Sequence, residues 1–147
     1  MTQTIPAAEQ IPRILSRLRT IAVVGLSPKP HRASYDVSSY MQSQGYRIIP
    51  INPNATEVLG EKAYATLHDA AKHEKIELVN CFRNSEDIPP IVDDAIAIGA
   101  QAVWMQMGIS HSAAAAKAEA AGLLVVQDHC IMVDHRRLQS RGLLQGS

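Results

Sequence analysis

What most constrains this chain is a recurrence along its length. Five short apolar runs, 21–24, 46–51, 76–82, 101–106 and 123–127, are separated by stretches with helical spacing. Runs this short, rich in valine and isoleucine on successive positions, read as strands buried on both faces. Strands that alternate with helices pair in parallel through right-handed crossovers, so the expected class is α/β, with a five-stranded parallel sheet flanked by helices. In such sheets ligands lie outside the carboxyl ends of the strands, where strand order reverses. The segments expected to meet there are 25–34, 52–54, 82–85, 105–110 and 128–130.

The connecting segments carry their own signals. Ile11, Ile14, Leu15 and Leu18 recur at helical spacing, which predicts a helix over about 7–19. A second helix is expected over 35–44, with Ser34 as its N-cap and Gly45 closing it. The stretch VLGEKAY, 58–64, reads as irregular, and Thr66 as the cap of a short helix to about His73. Pro89 and Pro90 fit the first turn of a helix over 88–98, and Ser110 is read as the cap of an alanine-rich helix over 111–121. A last helix is expected over 130–138, with Ile131 and Leu138 inward and Asp134-His135-Arg136-Arg137 as its exposed end. The whole chain, 1–147, is read as one domain with a core of about 14–139 and a loose tail over 140–147.

Composition removes several function classes. Formal net charge is zero, which argues against general nucleic-acid or membrane-surface binding. One Phe and one Trp are too few for a base-stacking platform. The first ten residues, MTQTIPAAEQ, lack the apolar segment of a signal peptide, and no run approaches the roughly 20 apolar residues that span a bilayer. Cys81 and Cys130 form no disulfide framework, so the expected setting is reducing and cytoplasmic.

The first strand leads into the most informative loop, IAVVGLSPKPHRASY, 21–35. Gly25 ends the strand, and Pro28 and Pro30 stop either regular structure from continuing. A helix start after a glycine turn attracts anions through its N–H groups and dipole, and Lys29, His31 and Arg32 add positive charge. Such turns also occur where nothing binds, and these three side chains can equally be solvated loop charges. The dinucleotide fingerprint G-x-G-x-x-G is absent, because Ser27 stands where its second glycine would be. The second strand ends in Ile51-Asn52-Pro53 without the carboxylate that would hold a ribose 2′-hydroxyl, which argues against NAD. No G-K-[ST] phosphate loop occurs either. A ligand rich in phosphate suits the basic loop better.

Four segments, VVGLSPKPHRASYDVSSYMQSQGYRIIPINPN, LGEKAYATL, CFRNSEDIPPIVDDAIAIGAQAVWMQMGI and DHCIMVDHRRL, carry a family resemblance over about 14–139. The chain resembles the small stand-alone coenzyme A (CoA)-binding proteins, which are similar to the CoA-binding domain of the succinyl-CoA synthetase α subunit. The resemblance implies a three-layer Rossmann-like fold with CoA or an acyl-CoA as its ligand. It implies that Gly25, Leu26 and Ser27 line the diphosphate, with Ser34 at the helix start. Lys29 and Arg32 would lie near the phosphates, including the 3′-phosphate. Asn52 and Pro53 would border the adenosine, and Phe82 and Arg83 the nucleotide or pantetheine path. The phosphorylated histidine of the ligase belongs to a domain not represented here, so acyl-CoA synthesis is not implied. The expected role is a non-catalytic carrier, sensor or regulatory module, with a protein partner or self-association open. The alternative is a small nucleotide- or CoA-dependent enzyme, an oxidoreductase or an acyl-CoA-processing one, using the same cleft.

The remaining reactive residues have plainer readings. Asp128, His129 and Cys130 are adjacent, and neighbours on an extended chain point apart, so no catalytic residue is assigned. The spacing of His129, Cys130 and His135 matches no zinc pattern, and no metal is expected. Cys130, after the fifth strand, could meet the thiol of CoA and form a mixed disulfide under oxidation. Arg83 could simply pair with Glu86 or Asp87. Cys81, Met105 and Met107 are read as core.

Overall fold

The computed structural model describes residues 7–144. The readings made above for residues 1–6 and 145–147 lie outside them. The elements run α1 (Ala7–Arg17), β1 (Thr20–Val24), α2 (Ala33–Ser43), β2 (Arg47–Ile51), β3 (Glu57–Val58), β4 (Glu61–Lys62), α3 (Leu67–Ala71) and β5 (Leu78–Cys81). A 3₁₀ turn (Ser85–Asp87) then leads to α4 (Ile88–Ala97), β6 (Ala102–Met105), α5 (Ser112–Ala120), β7 (Leu124–Val126) and α6 (Ile131–Ser140).

Five strands form one sheet in the order β2-β1-β5-β6-β7, and every pair in it is parallel. The chain moves outward from β1 to β2, then returns across β1 to build the other half. Strand order therefore reverses between β1 and β5. Side chains alternate across the sheet. Ile21, Val23, Leu78, Ala102 and Trp104 pack with α1, α2 and α6 on one face. Ala22, Val79, Cys81, Val103 and Met105 pack with α3, α4 and α5 on the other. This is the three-layer Rossmann-like arrangement. No helix among the described residues is long and apolar enough to cross a membrane.

Four local expectations are corrected. Residues 57–62 are not irregular but a small antiparallel hairpin, Glu57 opposite Lys62. Leu59 and Gly60 both take positive φ, 56° and 76°, as a two-residue turn matched to strand twist requires. Leucine at the first of these positions hid the turn. Ser110 does not cap α5: the N-cap is one residue later, where the imidazole of His111 accepts from Ala114 N–H, and the Ser110 amide donates to Ser85 Oγ. Of the tail expected to be loose over 140–147, the described part is tied down: α6 includes Ser140, Leu143 N–H donates to the Leu138 carbonyl, and Leu144 packs against the core.

The fourth correction concerns α6. Ile131, Asp134, His135 and Leu138 are all buried, which is the i, i+3, i+4, i+7 face of a helix. Two residues read as exposed thus face inward, because helical periodicity overrides their polarity. The Asp134 carboxylate accepts from His129 Nδ1 and Arg137 Nη2, each at 2.9 Å, so its burial is compensated. His135 Nδ1 lies 2.8 Å from the Tyr40 hydroxyl.

Candidate functional site

The strand ends converge where order reverses, and Gly25 is at the centre. Its N–H continues the ladder to the Ile51 carbonyl, while its φ of +89° turns the chain out of the sheet. A Cβ built on it would lie 2.6 Å from the Phe82 carbonyl oxygen and 3.1 Å from Arg83 Cδ. Only glycine lets the first loop press this closely against the end of β5.

The loop beyond is held by side chains of its own. Arg32, extended at φ −80° and ψ 144°, is the N-cap of α2. Its carbonyl accepts from the amides of Tyr35 and Asp36. Ser34 is therefore the second helical residue and not the cap. Its hydroxyl accepts from Ser27 N–H at 3.0 Å, which fastens loop to helix. Ser27 Oγ in turn accepts from Lys29 N–H at 3.1 Å. The amides of Ala33 and Ser34, in the first turn, have no intrahelical acceptor. Leu26 is buried beneath the loop, and the Asn52 amide donates to its carbonyl at 3.0 Å while accepting from Asn54 N–H. Asn52 is thus a brace between the first and second strand ends.

Three cavities adjoin around this point. One of about 360 Å³ is lined by Gly25, Ser27, Lys29, Arg32, Ser34 and Phe82. A second, of about 400 Å³, lies toward β2 and is bounded by Gly25, Ser27, Asn52, Pro53 and Arg83. The third and largest, about 730 Å³, lies toward β6 and is walled by Phe82 to Glu86, Gln106 to Ile109, Val37, Cys130 and Val133. Gly25 and Ser27 are shared by the first two, Ala33 and Phe82 by the first and third. Nine of the ten candidate residues line this set directly, and Leu26, fully buried, supports the loop from below. His31 is not among the lining residues.

The electrostatics are uneven. Lys29 and Arg32 are exposed and face the middle cavity with no carboxylate among its lining residues. Arg83 stands 3.6 Å from Asp87, as its polar turn allowed, and is still half exposed. Met107, expected in the core, is 68% exposed on the rim of the largest cavity, whereas Met105 is buried. The parity of the strand ends with β6 at Met105, so Met107 is carried out with the loop. Cys81 is buried in the sheet, and burial pushes its thiol up to about 12. Cys130 does line the largest cavity, but neither His129 nor Asp134 does. Among the described residues no group of three His, Cys, Asp or Glu is arranged to hold a metal.

Some lining residues escaped sequence reasoning. Val37 and Val133 come from the bodies of α2 and α6 and not from strand ends. Val37 is buried in the core and left no cue of its own, whereas Val133, 49% exposed, is an apolar side chain on a solvent-facing position of α6.

Relatives of this chain share both sequence and fold. YneT of Bacillus subtilis is 40% identical over 130 residues, covering 88% of this chain and 95% of YneT. A hypothetical protein of Pyrococcus horikoshii is 39% identical with a TM-score of 0.85, over 95% of this chain and 99% of that one. A Thermus thermophilus protein is 34% identical with a TM-score of 0.83, over 90% and 99%. The family model described as CoA binding domain matches residues 19–136, nearly the whole span from β1 to α6. With strand order, loop and cleft already in place, that match means this chain belongs to the CoA-binding domain family.

Proposed function

We propose that this protein binds CoA or an acyl-CoA in the cleft formed by the three cavities, and acts as a carrier, sensor or regulatory module without chemistry of its own. The observation that carries the reading is the cation-lined middle cavity at the strand reversal, flanked by a cavity on each side. CoA has the same tripartite layout, with an adenosine, a charged diphosphate and a pantetheine arm. The diphosphate would lie between the α2 N-terminus and Lys29 and Arg32, where helix dipole and side-chain charge act together. Adenosine would occupy the side bounded by Asn52 and Pro53, with the 3′-phosphate within reach of the basic loop. Pantetheine would pass Phe82 and Arg83 into the largest cavity. No acid–base pair lines that cavity, which supports a binding role over catalysis.

Calorimetric titration with CoA, dephospho-CoA, NAD and NADP tests this reading. CoA is expected to bind more tightly than dephospho-CoA, and NAD not to compete. Lys29→Ala with Arg32→Ala should weaken CoA by about tenfold or more, two charge-assisted contacts being lost, without changing the melting temperature of the free protein. Binding of NAD without CoA would overturn the proposal.

A further inference from the structure

We infer that the 730 Å³ cavity is an acyl pocket, and that this protein takes CoA thioesters carrying a neutral, apolar acyl group in preference to free CoA. The inference rests on the CoA reading above and goes one step past it, to the class of ligand. The cavity's lining is of two unlike kinds. The turn after β5, from Arg83 to Glu86, is polar, and suits the amides of a pantetheine arm. Val37, Met107, Ile109 and Val133 make up the apolar part of the lining, and their side chains offer nothing to a hydrogen-bonding group.

Met107 and Val133 are 68% and 49% exposed, and only one other large apolar side chain, Leu143, is as exposed among the described residues. They come from different elements, the loop after β6 and helix α6, yet meet at the rim of one cavity. Single exposed apolar side chains are ordinary, but two converging on a cavity that opens from a ligand cleft favour an apolar occupant. That cavity shares Ala33 and Phe82 with the cation-lined one, so a chain leaving the diphosphate passes directly into it. A free thiol would leave the apolar wall wet, whereas an alkyl chain would cover it. Charge narrows the class further. The single cation among the lining residues, Arg83, stands 3.6 Å from Asp87, and Glu86 also lines the cavity. A carboxylate on the acyl chain would share the cavity with Glu86, and the one cation there, Arg83, is already neighboured by Asp87.

The test is calorimetric titration of the whole chain with CoA, acetyl-CoA, butyryl-CoA, octanoyl-CoA and succinyl-CoA. Affinity should rise about two- to fourfold per added methylene until the cavity is filled. Succinyl-CoA should bind about tenfold or more weakly than butyryl-CoA, which has the same number of acyl carbons. Met107→Ser with Val133→Ser, both at surface positions, should flatten the chain-length series, the readout being the ratio of octanoyl-CoA to CoA affinity within each protein. Tight CoA binding with no response to chain length would overturn the acyl pocket and leave the CoA reading standing. Failure of CoA itself to bind would overturn both. Should sedimentation show a dimer that the double variant loses, with no chain-length response in the wild type, the apolar wall belongs to a second copy and the inference is wrong.

Discussion

Gly25 carries two requirements in one position, a positive φ and a contact too close for any side chain. Gly25→Ala should cost about 1–2 kcal/mol in the backbone alone, with more from displacing the Phe82 carbonyl. Urea denaturation would measure the loss, and CoA affinity of the folded fraction should fall with it. His135 is the residue that ties stability to pH. It is fully buried, with Tyr40 and Tyr46 set edge-on to its ring and its Nε2 without a partner. Burial, with a smaller contribution from Arg19, holds its pKa below the ordinary histidine value. The unfolded chain takes up this proton as pH falls through about 6.5, and the folded chain does not. Stability is therefore complete above that pH and declines below it, until the depressed folded value is reached. Denaturant midpoints at pH 7.5 and pH 5.5 should differ more in the wild type than in His135→Leu; equal differences would remove His135 from the effect. The two cysteines should also separate by environment. With its thiol pushed up to about 12, Cys81 should resist iodoacetamide in the native protein, whereas Cys130 at the cavity should react, and bound CoA should slow it. Mass spectrometry of peptides from the alkylated native protein reads all three outcomes.

At the scale of elements, the cleft depends on how strand ends are fastened to one another. Asn52, at the end of β2, donates to the Leu26 carbonyl and accepts from Asn54 N–H. Asn52→Ala removes both bonds and should cost about 1–2 kcal/mol, read by thermal or urea denaturation, and it should loosen the phosphate loop although Lys29 and Arg32 are unchanged. A variant as stable as the wild type would show that the brace is dispensable. The elements themselves were largely legible, since each apolar run is short and followed by a turn residue. Their ends were less so. Which residue caps a helix depended on the fold: the Ser34 hydroxyl serves Ser27, and the cap of α5 falls to the His111 imidazole one residue past Ser110. In α6 a run of four polar residues concealed a periodic face, because two of them are buried with partners from other segments or from the same helix. Polarity alone gives the wrong face when partners are supplied by the fold.

For the whole molecule, binding and stability are linked by mass action. A ligand of the native state at about 100 times its Kd adds about 2.7 kcal/mol, which for a chain of this size raises Tm by roughly 5–10 °C. CoA should produce such a rise, and raised salt should reduce it at fixed ligand concentration by screening Lys29 and Arg32. A Tm that does not respond to CoA would remove the cleft from consideration as a CoA site.

The sequence by itself determined the class of fold and the end of the sheet where a ligand belongs. Alternating strand and helix periods admit few topologies, and a parallel sheet opens at its carboxyl edge. It also pointed to the phosphate loop, because glycine, prolines and cations there are local signals, and the four-segment pattern pointed to the family. Only the tertiary structure decided the rest. That Gly25 abuts Phe82, that Asn52 holds Leu26, and that Met107 and Val133 face one cavity are facts about residues distant in the chain. Such contacts are fixed by strand order and helix rotation, which arise from packing the whole core and leave no local trace in any one segment.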